Sequence, residues 1–270
     1  MTIDIQPAGS AIQYPRYVWE RPKRGLSGTI KRMFGGARAV KRLAGIEQVV
    51  CPFPFALLPG AKAEDALSEL ARLRPDCTPI IFGKPETAAH VLDGDNRSGP
   101  YEELLAGLNR VDVERWFTER FVELKPIGIE PPRGAWPAEP QQDNGLFCVR
   151  QVLAPRDFEP EVVVGLVPTS EPALVALSLG YGDWNDCPSA VIHAALARRW
   201  NALCGVVPMA FAGDVVEYRI AHPLTNRGQA ITVALEQFAY CPDIVLQGTE
   251  TIDRLAASLL EARHWYFWWD

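Results

Sequence analysis

The first stretch that could carry chemistry is residues 182–188, GDWNDCP, in which Cys187 precedes a proline suited to the first turn of a helix. The positive end of a helix favours a thiolate, so Cys187 is the best candidate nucleophile in the chain. His193 is not an obvious partner, because six residues of helix carry it more than a turn and a half away. Asp183 or the distant His222 could act as the base, although the spacing requires neither.

The same stretch has a simpler interpretation as a turn. Asn185 and Asp186 are residue types that bond the free backbone amides at the start of a helix. On this interpretation Cys187 is a small residue in a cap and turn. Because a catalytic triad is recognised by its geometry, the sequence leaves both interpretations open.

The second stretch is residues 240–243, YCPD, which has the same Cys-Pro step and a nearby carboxylate. Two such loops could bring Asp186 and Asp243 together as an acid/base pair or a cation site. The simpler interpretation is the end of a helix, with the proline stopping it and Asp243 in solvent.

The third stretch ends the printed sequence as WYFWWD, residues 265–270. In a strand, alternate aromatic side chains point to opposite faces. A strand that is apolar on both faces is usually central in a sheet covered on both sides, which predicts that most of this segment is core. Asp270, beside Trp268 or Trp269, could hold a cation or a hydrogen-bonding ligand.

These stretches supply all the candidate site residues. The catalytic candidates are Cys187, Asp186 and Asp243, and the binding candidates are Trp184, Asn185, Tyr240, Cys241, Gln247, Trp268 and Asp270. The sequence has no GxGxxG, P-loop, HExxH or GxSxG motif, so nucleotide, phosphate and zincin sites have no local support. Its six cysteines form no CxxC pair, so we expect neither a metal nor a cofactor.

The composition, with 48% apolar and 22% charged residues over 270 positions, is typical of a soluble globular protein. No apolar run is long enough for a membrane helix, and the first residues do not resemble a secretory signal. The widely spaced cysteines indicate reduced thiols in a bacterial-type cytoplasm.

The net charge of −6 is unevenly distributed. Residues 1–45 form a basic arm with a net charge of +7, and the remainder is an acidic body with −13. Apolar residues at helical spacing predict an amphipathic helix in the arm, and these are Leu26, Ile30, Met33, Ala37, Val40 and Ala44. We expect the arm to dock on the acidic body of its own chain or on an anionic surface, either a membrane or a nucleic acid.

The rest of the chain divides into an N-terminal α/β part (46–124), a proline-rich loop (125–145) and a C-terminal α+β domain (146–270). The first part reads as a strand from 48, a helix over 63–74, a strand over 78–83, a helix from Pro85 and a helix over 113–121. The predicted C-terminal strands cover 162–168, 173–179, 206–211, 215–220 and 264–269, and the helices cover 189–204 and follow Asn226 and Thr249. The order ββαββααβ predicts an α+β fold with a mixed sheet packed against helices.

The segments GYGDWNDCPS, EQFAYCPDIVLQGTETIDRLAASLL and WYFWWD together resemble a bacterial family catalogued as domain of unknown function 4253. The resemblance covers about residues 160–270, and more weakly 48–92. It implies the domain assignment and a soluble cytoplasmic protein, but no activity. The family's characteristic positions fall on Trp184, Asn185, Cys187, Pro188, Tyr240, Cys241, Pro242, Asp243, Gln247, Gly248, Thr249 and the aromatic terminus.

Two functions are consistent with the sequence. The first is a protein-binding module, such as an immunity or antitoxin-like inhibitor, whose acidic body masks a basic partner. The alternative is a hydrolase or transferase that uses Cys187 or the pair Asp186 and Asp243. The absence of a recognisable catalytic motif favours the binding module.

Overall fold

A computed structural model describes residues 3–20, 40–93, 99–139 and 145–270. The strands are β1 (Ala11–Glu20), β2 (Val40–Val50), β3 (Phe55–Leu58), β4 (Thr78–Ile81), β5 (Arg150–Gln151), β6 (Ala154–Phe158), β7 (Val162–Val167), β8 (Val206–Ala212), β9 (Val215–Ile220) and β10 (His264–Trp268). The helices are α1 (Gly60–Leu73), α2 (Pro85–Leu92), α3 (Tyr101–Leu108), α4 (Val113–Leu124), α5 (Val175–Leu179), α6 (Ala190–Cys204), α7 (Arg227–Tyr240) and α8 (Ile252–Leu259). A π-helix, Ile244–Thr249, lies between α7 and α8.

One six-stranded sheet, in the order β10-β9-β8-β4-β7-β3, organises the fold. Strands β4 and β8 are parallel and the other neighbours are antiparallel, so the sheet is mixed. The predicted α+β class is therefore confirmed. The sheet contains strands from both the 46–124 and 146–270 parts of the chain, and the division into domains stays a prediction.

The sheet is covered on both faces. Every residue of β7 is buried, and alternate residues belong to different clusters. Val163 and Val167 pack in the larger core, while Val162, Val164 and Leu166 pack with α1. A strand buried on both faces reads as a continuous apolar run, which is why VVVGLV is recognisable in the sequence. Helix α1 covers one face, while α6, α7 and α8 contribute to the core on the other.

The helices predicted from apolar spacing and capping residues are present. In α1, the residues Ala63, Ala66, Leu67 and Leu70 form the buried stripe. Asp112 caps α4 by accepting a hydrogen bond from the Arg115 N–H, and Asn226 caps α7 by accepting one from the Gln229 N–H. The last helix is capped by Thr251, two residues after the predicted Thr249.

The predicted strand over 173–179 is wrong, because this segment is helical. A 3₁₀ turn, Pro172–Leu174, leads directly into α5. A short apolar run is compatible with a buried strand or a buried helix, and periodicity alone does not distinguish them. Pro172 begins the helical conformation, and Gly180 ends it in a left-handed conformation with φ of 61°. The C-terminal order is therefore βααββααβ, with the π-helix between the last two helices.

The basic arm contains strands where it is described. Strands β1 and β2 pair as an antiparallel ladder from Ala11↔Val50 to Glu20↔Val40. Val40 and Ala44, which we predicted at the end of an amphipathic helix, thus belong to a strand, in which Val40 pairs with Glu20 and Ala44 lies at a shift of the register. The rest of the predicted helix lies outside the described residues. In the part of the chain that is described, no helix is long and apolar enough to cross a membrane.

The aromatic terminal strand β10 lies at the edge of the sheet and pairs with β9. Its central placement, predicted from the sequence, is therefore wrong. Trp265, Phe267 and Trp269 are buried in the main core, as the two-residue period requires. Tyr266 and Trp268 on the other face are partly exposed and line a cavity, which explains why this strand is aromatic on both faces.

The proline-rich segment is attached to α8 by a charged pair. After a 3₁₀ turn, Lys125–Ile127, the residues 128–139 have no regular structure. The Arg133 guanidinium donates hydrogen bonds of 2.7 and 2.8 Å to the Asp253 carboxylate, which also accepts one of 2.9 Å from the Gly134 N–H. Arg133, helped by this amide, holds the pKa of the buried Asp253 well below its usual range.

We expect Asp253→Asn to lower the free energy of unfolding by about 1–2 kcal/mol, since a charge-assisted hydrogen bond is lost and solvent screens the half-exposed Arg133. A carboxyl group with a lowered pKa stabilises the fold above its unfolded pKa of about 3.9 and stops doing so as the pH falls through its folded pKa. Urea unfolding should therefore be measured for both proteins at pH 7 and near pH 2. The variant should have a lower free energy of unfolding than wild type at pH 7, and this difference should be smaller near pH 2.

The matched control is Asp76→Asn. Asp76 makes a similar two-bond contact with Arg74 at 2.9 and 3.1 Å, but on the exposed surface. An exposed pair contributes little because water screens it, so this variant should unfold like wild type at pH 7. Equal losses in the two variants would contradict the anchoring role of Asp253.

Candidate functional site

Tyr240 connects the three stretches selected from the sequence. It is the last residue of α7, is fully buried, and its ring packs edge-on against Trp200, Phe267 and Trp269 at centroid distances of 4.9–5.3 Å. Edge-to-face pairs at this separation are favourable because the ring edge is positive and the ring face is negative. Tyr240 is thereby held between the terminal strand and helix α6.

The loop between α5 and α6 folds back on itself. Gly182 has a φ of 120°, and Asp183 and Asn185 have φ values of 67° and 46°, a conformation that costs non-glycine residues energy. A side chain at Gly182 would place its Cβ only 2.0 Å from the carbonyl oxygen of Pro188. The Cys187 N–H donates a 2.8 Å hydrogen bond to the Trp184 carbonyl, which closes the turn.

This turn places the Cys187 side chain in contact with the His193 imidazole. The Cys187 Sγ lies 3.3 Å from the His193 Nε2, and the His193 Nδ1 lies 2.6 Å from the Tyr240 hydroxyl. His193, which we did not expect as a partner of Cys187, is therefore in contact with it. That expectation assumed that helix separates the two residues, whereas α6 begins only at Ala190 and the preceding turn is folded back. For the same reason Cys187 lies before the helix and not in its first turn.

Burial keeps both partners neutral. It raises the pKa of the Cys187 thiol far above its usual value, and nearby Cys241, Asp183 and Asp186 act in the same direction. Burial also lowers the pKa of His193 to about 3, although a hydrogen bond with the Pro188 backbone opposes this. At neutral pH the site therefore contains a thiol and a neutral imidazole, which is the unreactive protonation state of a cysteine–histidine pair.

The two candidate carboxylates have different partners. Asp186 forms a salt bridge with Arg120, whose guanidinium also donates a hydrogen bond of 3.1 Å to the Ala239 carbonyl. Asp243 accepts one hydrogen bond from the Gln247 side chain and another from the Asp270 N–H, each at 3.1 Å. Their action as an acid/base pair or cation site stays a prediction. No group of three or more acidic, histidine or cysteine side chains placed to hold a metal occurs in the described ranges.

The second and third stretches are in direct contact. The Cys241 thiol donates a 2.9 Å hydrogen bond to the Trp268 carbonyl, and the Trp269 indole N–H lies 3.4 Å from the Tyr240 carbonyl. Cys241 and Trp269 are buried, whereas Asp270 is exposed. The structure thus places Tyr240, Cys241, Gln247, Trp268 and Asp270 around the end of α7 and the π-helix.

Trp184 lines a first cavity, which we name the Trp184 cavity. Its volume is about 380 Å³, and its lining includes Thr87, His90, Asp93, Tyr181, Trp184 and Asp214. The rings of Tyr181 and Trp184 meet edge-on at 4.6 Å, and the Tyr181 hydroxyl donates a 2.9 Å hydrogen bond to the Gly213 carbonyl. Asn185, the other binding candidate in this loop, is exposed and is absent from the cavity lining.

A second cavity lies beside β10, and we name it the Gln237 cavity. Its volume is about 430 Å³, and its lining includes Phe147, Gln237, Gly248, His264, Tyr266 and Trp268. Trp268 was a binding candidate in the sequence, whereas Gln237 was not. The available signal was a glutamine directly before Phe238 and one turn after Val233 and Ala234, on a face where these apolar residues are buried.

We predict that Cys187 is protected from alkylation in the folded protein, because it is buried and its pKa is raised. The protein is treated with iodoacetamide at pH 7.5, folded and unfolded in urea, and the peptides are analysed by mass spectrometry. At the time when Cys187 of the unfolded protein has reacted completely, Cys187 of the folded protein should still be unmodified. Labelling of Cys187 in the folded protein at the unfolded rate would instead indicate an accessible thiolate.

We also predict that Gly182→Ala destabilises the protein by about 3 kcal/mol or more, because it adds backbone strain and a clash with the Pro188 carbonyl. Gly9→Ala is the matched control, since Gly9 has a φ of 86° and open space around it. The control carries the strain alone and should cost about 1–2 kcal/mol. Thermal unfolding measures both variants, and equal losses would show that the Pro188 contact is unimportant.

The C-terminal part of the chain is similar to one known protein family. No curated protein and no solved structure matches the chain. Residues 163–270 match the family model described as Domain of unknown function (DUF4253). The matched range contains all three stretches, the cysteine–histidine–tyrosine contact, and Gln237. The match covers the C-terminal part of the chain, and it confirms the resemblance seen in the sequence.

Proposed function

We propose that the protein is a bacterial cytoplasmic binding module that holds a basic side chain of a partner protein, as an immunity or antitoxin-like inhibitor would. The observation that carries this proposal is the lining of the Trp184 cavity, where two aromatic rings and two carboxylates meet. All six cysteines are free thiols, which supports a reducing compartment.

The cavity suits a lysine or arginine side chain. Its carboxylates, Asp93 and Asp214, are exposed, whereas Tyr181 is buried and Trp184 half-buried. A long basic side chain buries its hydrocarbon stem against apolar surface and keeps its charged end near solvent. An aromatic ring attracts a cation placed over its face, and the carboxylates add direct attraction. The hydrogen bond from Tyr181 to Gly213 fixes one ring before the partner arrives.

The distribution of charge supports the same partner. The sequence beyond residue 45 has a net charge of −13. Such a surface attracts basic proteins over a distance of about one Debye length, roughly 8 Å at physiological salt, and repels acidic ones. The general field brings a basic partner to the surface, and the aromatic cavity then selects one side chain.

A hydrolase or transferase that uses Cys187 is the second candidate, because the 3.3 Å contact with His193 has the geometry of a nucleophile and its base. The raised pKa of the thiol and the lowered pKa of the imidazole oppose this function. A version that uses Asp186 and Asp243 has less support, since each carboxylate is bonded to other groups. Binding is therefore the stronger proposal.

We predict that a fluorescein-labelled arginine-rich peptide binds the full-length protein, and that Asp93→Asn with Asp214→Asn weakens binding about tenfold or more, equivalent to about 1.4 kcal/mol. Trp184→Leu should weaken it as well, because the cation loses an aromatic face. Fluorescence anisotropy at two salt concentrations measures these affinities.

The matched control carries Asp65→Asn with Asp157→Asn. Both residues are exposed and absent from the cavity lining, and the change in net charge is the same. Equal weakening in the two double variants would show that the peptide senses only the overall charge, which would refute the cavity as its site.

A further inference from the structure

An unusual feature of the Gln237 cavity is a buried amide without a partner. The side-chain nitrogen of Gln237 is buried and has no hydrogen-bond partner in the described part of the chain. The indole nitrogen of Trp265 is the other buried side-chain atom in this condition, but Trp265 does not line the cavity. A buried donor without a partner is costly, so its presence needs an explanation.

The walls of the cavity are suited to a flat ligand. Phe147 and Tyr266 pack edge-on at 5.3 Å, and Tyr266 and Trp268 lie 5.4 Å apart with their ring planes tilted by 37°. A volume of about 430 Å³ is within the usual range of small-molecule pockets, which are mostly apolar with a few polar groups. The aromatic rings offer stacking surface, and Gln237, which is 1% exposed, is the polar residue of the wall whose amide nitrogen has no partner among the described residues.

Gly248 and the π-helix shape this wall. A Cβ atom at position 248 would lie 3.0 Å from Cη2 of Trp268, so the absence of a side chain lets the indole ring approach the π-helix Ile244–Thr249. Single-turn π-helices occur frequently at functional sites, where they redirect side chains. The position of Trp268 in the cavity therefore depends on this glycine.

The cavity selects against charged ligands. Its described lining contains no aspartate, glutamate, lysine or arginine, and its one titratable imidazole, His264, lies 3.2 Å from Glu64. The buried Glu217 on the neighbouring strand accepts hydrogen bonds from the backbone N–H groups of Phe147 and Cys148. A charged ligand would lose its hydration here, and the neighbouring carboxylates are already bonded, Glu64 to His264 and Glu217 to backbone N–H groups.

We propose that the Gln237 cavity is a binding site for a neutral, planar molecule with a carboxamide or lactam edge. Such an edge has a carbonyl acceptor and an N–H donor side by side, so it pairs with the glutamine amide through two reciprocal hydrogen bonds. The flat body of the ligand lies against Tyr266 and Trp268. This site is separate from the Trp184 cavity and does not depend on the function proposed for it.

The test uses full-length protein labelled with 5-fluorotryptophan, in which Trp268→Phe identifies the resonance of residue 268. The probes are benzamide, benzoate and benzylamine, which share a flat ring and differ in their charge and hydrogen-bonding groups. We expect benzamide to shift the Trp268 resonance with millimolar affinity. Benzoate and benzylamine should bind at least about tenfold more weakly, because their charge is not compensated in this cavity.

Gln237→Leu should reduce the affinity for benzamide about tenfold or more and raise the urea midpoint of the free protein, since it removes the donor without a partner. Gln229→Leu, on the exposed side of the same helix, is the matched control and should leave the affinity unchanged. Gly248→Ala should also weaken benzamide without altering Gln237, because it displaces Trp268. Unchanged benzamide affinity in Gln237→Leu, or no preference for benzamide over benzoate, would overturn the proposal.

Discussion

The burial of Tyr240 is the constraint on which the rest of the C-terminal structure depends. Its ring needs apolar neighbours on all sides, and Trp200, Phe267 and Trp269 supply them from α6 and the terminal segment. Its hydroxyl needs a partner within that core, and His193 supplies one at 2.6 Å. These two requirements fix the end of α7 against both elements, because a buried hydroxyl without a partner would offset much of the gain from packing the ring.

Much of the fold could be predicted where a pattern is long or is marked by a capping residue. Helices α1, α4 and α7 have helical apolar spacing, and Asp112 and Asn226 act as caps for two of them. The segment 173–179 could not be predicted in this way, since seven mostly apolar residues fit a strand or a helix equally well. The edge position of β10 could not be predicted either. Aromatic side chains on both faces are found in a central strand, but also in an edge strand with one face in the core and the other lining a cavity.

The candidate site was located by residue type, but its connections depend on backbone geometry that the sequence does not display. Asp183 and Asn185 adopt left-handed conformations, which aspartate and asparagine tolerate better than most residues but do not require, and the resulting turn places Cys187 against His193. Counting residues along an assumed helix therefore excluded a contact that exists. Gln237 was missed for a different reason, since a single glutamine in a helix is ordinary until its burial and its lack of a partner are known.

Burial also separates the groups that could react from the groups that could bind. Cys187 and His193 are enclosed and neutral, whereas the rings of Trp184, Tyr266 and Trp268 line the two cavities and are partly exposed. Trp268 links these two environments, because its carbonyl accepts the Cys241 hydrogen bond on the core side while its ring forms a wall of the Gln237 cavity. A ligand that moves this ring would act on the same strand that holds Tyr240 in place. Phe267 and Trp269, on either side of Trp268, pack against Tyr240, so the wall is supported from the core side, and a preformed wall reduces the entropy lost when a ligand binds.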